Sequence, residues 1–286
     1  MTPLRQRYID DLRLRNYAPR TIQSYVAGVA RFAKHFGRPP DQLGPDDVRA
    51  FQLELLRRRV SWSLFNQTVC ALRFFYRVTL GRPERLPDVP YGKRPRTLPG
   101  VLSPQEVVRL LDAARAGRDR VLLQVAYACG LRIGELLRLR VTDIDGGRMV
   151  LLVRQGKGRK DRLVPLSQRL LAELRAYGRR YRPDGWLFPG ANPERPLSAG
   201  NVQRLFQRLV ARAGLTKPCT PHTLRHSYAT HLLEAGVDVV TLQAILGHRD
   251  LHTTAHYLHV STRRLHQTPS LLDLLAVPAA ATEGRP

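Results

Sequence analysis

Residues 144–166 read IDGGRMVLLVRQGKGRKDRLVPL, and here the hydrophobic pattern leaves the helical period. Apolar side chains come in two short runs, Met149 to Val153 and Leu163 to Leu166, with glycines and charged residues around them. Gly146 and Gly147 make a first turn and GKGRK makes a second, so the stretch reads as strand, turn, strand, turn, strand. Lys157 then stands beside a hairpin tip between two glycines, free to reach away from the sheet. Outside this stretch the patterning is helical. A mainly α chain with one small antiparallel β-sheet is therefore the predicted fold class.

Going back towards the N-terminus, LRIGELLRLR sets Leu131, Ile133, Leu136, Leu137 and Leu139 towards a core. Arg132 and Glu135, three apart, fall on another side. Arg132 follows Gly130, which ends the apolar helix DRVLLQVAYAC. A further helix starts at a capping box, Ser103 with Glu106 three residues on and Pro104 in the first turn. Before it, residues 81–100 hold five prolines and three glycines, which cannot build a core and read as a linker. Lys93, Arg94 and Arg96 sit in that linker; a solvated segment and a basic strap along a duplex are equally good readings. Residues 1 to about 80 read as four short helices. Tyr8, Ile9, Leu12 and Leu14 give the first its apolar side, Pro19 opens the second, Pro45 the third (reaching Arg59), and Ser63 caps the fourth. The run Arg57, Arg58, Arg59 is either a solvated face or a phosphate contact.

Going forward, Ser167 and Ser198 each cap a helix, and the chain reaches TPHTLRHSYATHLLEAGVDVVTLQAILGHRDLHTTAHYLHV at 220–260. Thr220 and Pro221 make a favourable helix start. His222 and Arg225, three apart, then share one face of the first turn, where free N–H groups and the macrodipole favour an anion. His248 follows a helix-ending glycine, and Tyr257 lies in a short segment opened by Thr253 and Thr254. An arginine clamp, imidazoles and a phenol suit phosphoryl transfer. Residues 268–286 form an apolar segment, SLLDLLAV, and a polar tail.

Composition narrows the partner. Forty-seven Lys and Arg against 23 Asp and Glu give a net charge of +24, which points to a polyanion, and nucleic acid before a membrane because the basic residues are spread throughout. Three cysteines far apart fit a reduced intracellular protein. The N-terminus is too charged for a signal peptide, and no apolar run nears the eighteen or so residues of a membrane span. A cytoplasmic protein without membrane attachment is expected.

In their order, these segments resemble the tyrosine recombinases of the phage integrase family, with a layout like the Xer-like and the integron- or transposon-type integrases. The residues that carry the resemblance are GLRIGEL with Arg132, GKGRKDR with Lys157, HTLRH with His222 and Arg225, LGH with His248, and Tyr257. The resemblance implies a helical SAM-like core-binding domain (1–80), a linker (81–100) and an α/β catalytic domain (101–267), with 268–286 as an inter-subunit hook. It also implies a site-specific DNA recombinase that cuts and rejoins double-stranded DNA through a 3′-phosphotyrosyl intermediate, by integration, excision or resolution. No cofactor is implied, and no GxxxxGK[ST] loop is found. Partners implied are further copies of the chain, four in the synapse, and possible partner recombinases or accessory factors.

The residue types fit those roles. A phenol, with an unperturbed pKa of about 10, needs a base within hydrogen-bond reach, and His222 is the candidate. Arg132 and Arg225 would clamp the non-bridging oxygens. Lys157 would protonate the departing 5′ oxygen, and His248 would bond the phosphate or position Tyr257. Glu135 would hold Arg132 or nearby backbone. Arg154, Arg159, Lys160 and Arg162 read as phosphate contacts. His226 and His231 read as packing residues. A metal site in the histidine cluster is the lesser reading, because HxxRH lacks the HExxH glutamate. A type IB topoisomerase-like relaxing enzyme and a non-catalytic DNA-binding accessory protein are the alternatives.

Overall fold

The computed structural model describes residues 2–85, 100–154, 161–248, 250–255 and 257. The chain divides into two compact units, Met1–Arg96 and Thr97–Pro286. The fold is mainly helical with one small antiparallel sheet. Among the described residues no helix is long and apolar enough to cross a membrane.

The first unit holds α1 (Pro3–Leu14), α2 (Pro19–Phe36), α3 (Pro45–Arg57) and α4 (Trp62–Phe74), which continues as a π-helical turn over Phe75–Thr79. The apolar stripes of the four helices close on one core that includes Tyr8, Leu12, Val29, Phe32, Phe51 and Leu72. Phe74, Phe75 and Tyr76 are all buried. A regular α-helix turns too far per residue to hold three successive side chains on one stripe; the wider turn absorbs the mismatch. Buried phenols find acceptors, Tyr8 Oη donating to the Ala71 carbonyl at 3.0 Å and Tyr76 Oη to that of Leu43 at 3.0 Å.

Three local expectations are corrected here. Ser61, not Ser63, caps α4, its Oγ accepting from the Leu64 N–H at 3.3 Å, because Ser61 is the last extended residue and Ser63 is already helical. Helix α3 stops at Arg57, and Arg59 takes a left-handed φ of 49°. Leu14 is 83% exposed, since it lies about 200° around the helix from Leu12.

The second unit runs α5 (Pro104–Ala113), α6 (Arg118–Ala128), α7 (Ile133–Leu136), β1 (Ile144–Asp145), β2 (Val150–Val153), β3 (Arg162–Pro165), α8 (Gln168–Tyr181), α9 (Ala199–Arg212), α10 (Pro221–Glu234), α11 (Val239–Leu246) and α12 (Leu251–Ala255). The capping box at α5 forms as read, with Ser103 Oγ accepting from the Glu106 N–H at 3.2 Å and the Glu106 carboxylate from the Ser103 N–H at 2.7 Å. Helix α6, apolar around most of its surface, packs against α5, α7, α8 and α10. The sheet order is β1-β2-β3, all antiparallel, with Leu151 paired to Ile144 on one side and to Val164 on the other. Leu151, Val153 and Val164 point into the core, so alternation fixes the register. Strand β3 leans on α11, which brings the sheet to the helices that carry the histidines.

Gly130 decides how the chain leaves α6. Its φ is +55°, and a Cβ there would fall on the Tyr228 ring of α10. Only glycine gives both the left-handed turn and the close approach, and the turn delivers Arg132 to the start of α7.

Candidate active site

Helix α10 starts as its sequence suggests. Pro221 takes the first helical position, and Thr223 Oγ1 accepts from the Thr220 N–H at 3.0 Å. Arg225 then points into the unit and is 1% exposed. A buried guanidinium must find acceptors for its N–H groups. Its Nη1 donates to the Gly130 carbonyl at 2.6 Å and its Nη2 to the Leu246 carbonyl at 2.7 Å. Both carbonyls sit at or just beyond helix ends, where backbone acceptors lack intrahelical partners and the dipole is negative. Burial, and then the charge of Arg132, press the Arg225 pKa down to about 10, so the group stays cationic at neutral pH.

Glu135 organises the charges. It is 3% exposed. Its carboxylate accepts from Arg132 Nη1 at 2.8 Å, from the Arg132 backbone N–H at 3.0 Å, and from Arg162 Nη1 and Nη2 at 3.0 and 2.8 Å. Arg225 Nη1 lies 3.7 Å from it. Burial pushes the Glu135 pKa up, but the bonds and charges of Arg162 and Arg132 outweigh it and hold the group down at about 2. One buried carboxylate thus gathers three guanidinium groups, Arg132, Arg162 and Arg225, and leaves the cluster with net positive charge, which suits an incoming phosphate diester.

Tyr257, which follows α12, is 4% exposed and packs with Tyr228, Leu233, Leu242 and Leu246. Its ring lies parallel to that of His248 at 6.3 Å. His248 Nε2 is 3.0 Å from Arg225 Nη2 and its Nδ1 is 2.8 Å from Thr254 Oγ1. Arginine can only donate, so Nε2 accepts and Nδ1 carries the proton. Burial raises the Tyr257 pKa, while the charges of Arg225 and Arg132 oppose the rise.

The imidazole beside the Tyr257 hydroxyl is not the one expected. His226 Nδ1, not His222, lies 3.0 Å from the Tyr257 hydroxyl. His222 meets the His226 ring edge-on at 4.6 Å. Residues four apart share a helix face, and Tyr257 approaches that face one turn further along α10. The signal for His226 is present in HTLRH, in its four-residue spacing from His222, although a histidine in that place reads first as a packing residue. Thr253 and Thr254 lie within α12 and do not open it.

Residues 100–264 match the phage integrase family, and residues 4–85 match the phage integrase N-terminal SAM-like domain. The chain belongs to the phage integrase family. Its activity is that of a tyrosine-type site-specific DNA recombinase, with DNA as partner. A putative integrase/recombinase of Sinorhizobium fredii is 46% identical over 281 residues, covering 98% of this chain and 91% of that protein. The tyrosine recombinase XerD of Rhizobium meliloti is 35% identical over 277 residues, covering 88% of each. The XerH site-specific recombinase, crystallised on a palindromic difH substrate in a post-cleavage complex, shares the fold with a TM-score of 0.70 at 22% identity, covering 91% of this chain and 82% of that one.

In this integrase Arg132, His222, Arg225, His248 and Tyr257 are gathered in one place, while Lys157 lies outside the described residues. So do Lys93, Arg94, Arg96, Arg159 and Lys160 and the segment 268–286. Arg162 was expected on DNA and is corrected. Its side chain is 9% exposed and tied to Glu135, and its Nε donates to the Ile245 carbonyl at 2.7 Å, so it is drawn inward onto the carboxylate. Arg154 is half exposed, with Nε on Asp143 Oδ1 at 2.6 Å. It lines a cleft of about 380 Å³ with Arg138, Arg140, Thr142 and Trp186. Arg57 and Arg58 are exposed and both approach Glu54.

Gly247, at the end of α11, has φ +62°, and a Cβ there would stand 2.9 Å from Arg162 Cδ. Gly247→Ala is expected to cost about 1–2 kcal/mol from the left-handed backbone alone and to displace Arg162 from Glu135. A lowered urea midpoint at unchanged slope is the readout; an unchanged midpoint would mean that the turn relaxes freely.

Proposed function

We propose that Tyr257 attacks a phosphodiester of double-stranded DNA held between Arg132 and Arg225, giving a 3′-phosphotyrosyl link and a free 5′ hydroxyl. The supporting observation is the buried Tyr257 hydroxyl, close enough to Arg225 and Arg132 to feel their charge and 3.0 Å from an imidazole nitrogen. Arg132 and Arg225 bind the two non-bridging oxygens and offset the charge that grows on them. His222, in the first turn of α10, donates to the same oxygens, and His248 holds Arg225 and faces the Tyr257 ring. Burial, then the charges of Arg225 and Arg132, lower the His222 pKa, so it acts as a neutral donor. Lys157 protonates the 5′ oxygen as it leaves. The energy of the broken bond stays in the new diester, so rejoining needs no cofactor.

Two compact units suit a core-binding domain at 1–80 and a catalytic domain at 101–267, joined by a basic linker at 81–100 that follows the duplex. Arg138, Arg140 and Arg154 take phosphates flanking the cut, and Arg57, Arg58 and Arg59 take others. Protomers act in pairs on each site and as four in the synapse, with residues 268–286 as the hook, inside the cytoplasm and with accessory factors where direction must be set.

A nicked suicide duplex tests the reading. The wild-type protein should form an SDS-stable adduct, and protease digestion followed by mass spectrometry should place the DNA on the peptide carrying Tyr257. DNA attached to another residue overturns it. Binding should also weaken with salt at a log–log slope of about −0.9 per phosphate contacted. Arg154→Ala should reduce that slope by about one without changing sequence preference. A flat salt response, measured by fluorescence anisotropy, would argue against the phosphate contacts.

A further inference from the structure

Among the polar side chains that the reaction scheme leaves unused, the half-buried His226 touches a reacting atom. Its Nδ1 lies 3.0 Å from the Tyr257 hydroxyl, and the two rings are 5.6 Å apart. We propose that His226 is a catalytic residue: its Nδ1 accepts the hydrogen bond from Tyr257, turns an oxygen lone pair towards phosphorus, and takes the phenolic proton as the new O–P bond forms. This rests on Tyr257 being the nucleophile.

The donor pattern around the hydroxyl leaves His226 as the acceptor. Arg225, spent on the Gly130 and Leu246 carbonyls and on His248 Nε2, carries donors alone and offers the hydroxyl no acceptor. His248 faces the Tyr257 ring, and its nitrogens are engaged by Arg225 and Thr254. His226 Nδ1 must therefore be unprotonated, which puts the ring proton on Nε2. The surroundings keep it so: burial, then the charges of His222 and Arg225, hold the His226 pKa down at about 4.

That value also sets the timing. Burial raises the Tyr257 pKa and holds that of His226 down at about 4, so transfer ahead of attack is strongly uphill. The proton moves together with the nucleophile. A diester seated on Arg132 and Arg225 offsets the Arg225 charge that now depresses His226, and so makes Nδ1 a better proton acceptor when substrate is bound. The step balances. The O–H bond of Tyr257 breaks, its proton goes to Nδ1, the oxygen pair forms the bond to phosphorus, and the P–O5′ pair leaves with the 5′ oxygen, which is protonated separately. On rejoining, His226 returns the proton to the phenol.

The test measures single-turnover cleavage of the suicide duplex alongside DNA binding. His226→Ala should bind within about threefold of wild type and cleave at least about a hundredfold more slowly, in the range that general bases contribute. The same deficit should persist on a duplex with sulfur in place of the bridging 5′ oxygen, because a thiolate leaves without protonation and the defect lies on the nucleophile. His226→Gln, whose amide oxygen can accept the bond but not hold the proton, should fall between; it replaces the alanine variant if circular dichroism shows that variant unfolded. Cleavage by a bound His226 variant within about threefold of wild type overturns the proposal. So does a deficit that vanishes on the sulfur substrate, which would put His226 on the leaving-group side. A wild-type adduct on a residue other than Tyr257 would instead overturn the parent reading.

Discussion

Tyr257→Phe should bind its DNA as tightly as the wild type, within about threefold, and form no covalent adduct on a suicide duplex. The substitution removes one oxygen and leaves the ring packed against Leu233, Leu242 and Leu246, so the local fold is retained. Left without its partner, His226 Nδ1 loses its bond to the phenol, which costs on the order of 1 kcal/mol, small against the stability of a domain. The chemistry has no substitute, because the nucleophile itself is gone. Denaturing gels of the trapped reaction, run beside native gel shifts of the same samples, separate the two effects. An adduct in the phenylalanine protein would move the nucleophile to another residue, and a loss of binding would make Tyr257 a structural residue.

The second large effect should come from Glu135→Gln. The carboxylate faces Arg132, Arg162 and Arg225, and its removal leaves like charges together in a buried site. Breaking a buried pair from one side costs about 3–5 kcal/mol, so the urea midpoint at neutral pH should fall clearly. Activity should fall further, because both guanidinium groups proposed to hold the phosphate lean on this carboxylate.

The effect has a pH signature. The folded-state pKa is about 2, below the ordinary value of 4.5. The carboxylate's contribution is therefore complete above about pH 4.5 and disappears as pH falls towards 2. Over that window the wild type should lose about 3 kcal/mol relative to the glutamine variant, at about 1.4 kcal/mol per pH unit. The gap between the two proteins should close with acid. A gap that stays constant from pH 5 to pH 2 would mean that shape, and not charge, makes Glu135 necessary.

Much of the fold was legible because its signals are local. The change of period at 144–166 places three strands where they are found, and Ser103, Ser167, Ser198 and Thr220 each stand immediately before a helix. Ser61 and the π-helical turn at 75–79 were missed. Neighbouring serines compete equally for a cap, and three buried aromatics in succession answer to the far side of the core, not to the helix that carries them.

The site divides along the same line. Residue type and spacing alone determined that two arginines, histidines and a phenol serve phosphate chemistry, because a guanidinium or a phenol has the same donors and charge wherever it stands. Which of two histidines meets Tyr257, and whether Arg162 faces DNA or Glu135, was decided only in three dimensions. Both depend on α11 and α12 closing over α10 and on a buried carboxylate drawing in the nearest cations. Contacts across that much chain are selected by packing and desolvation, which act on the assembled core and leave no mark on neighbouring residues.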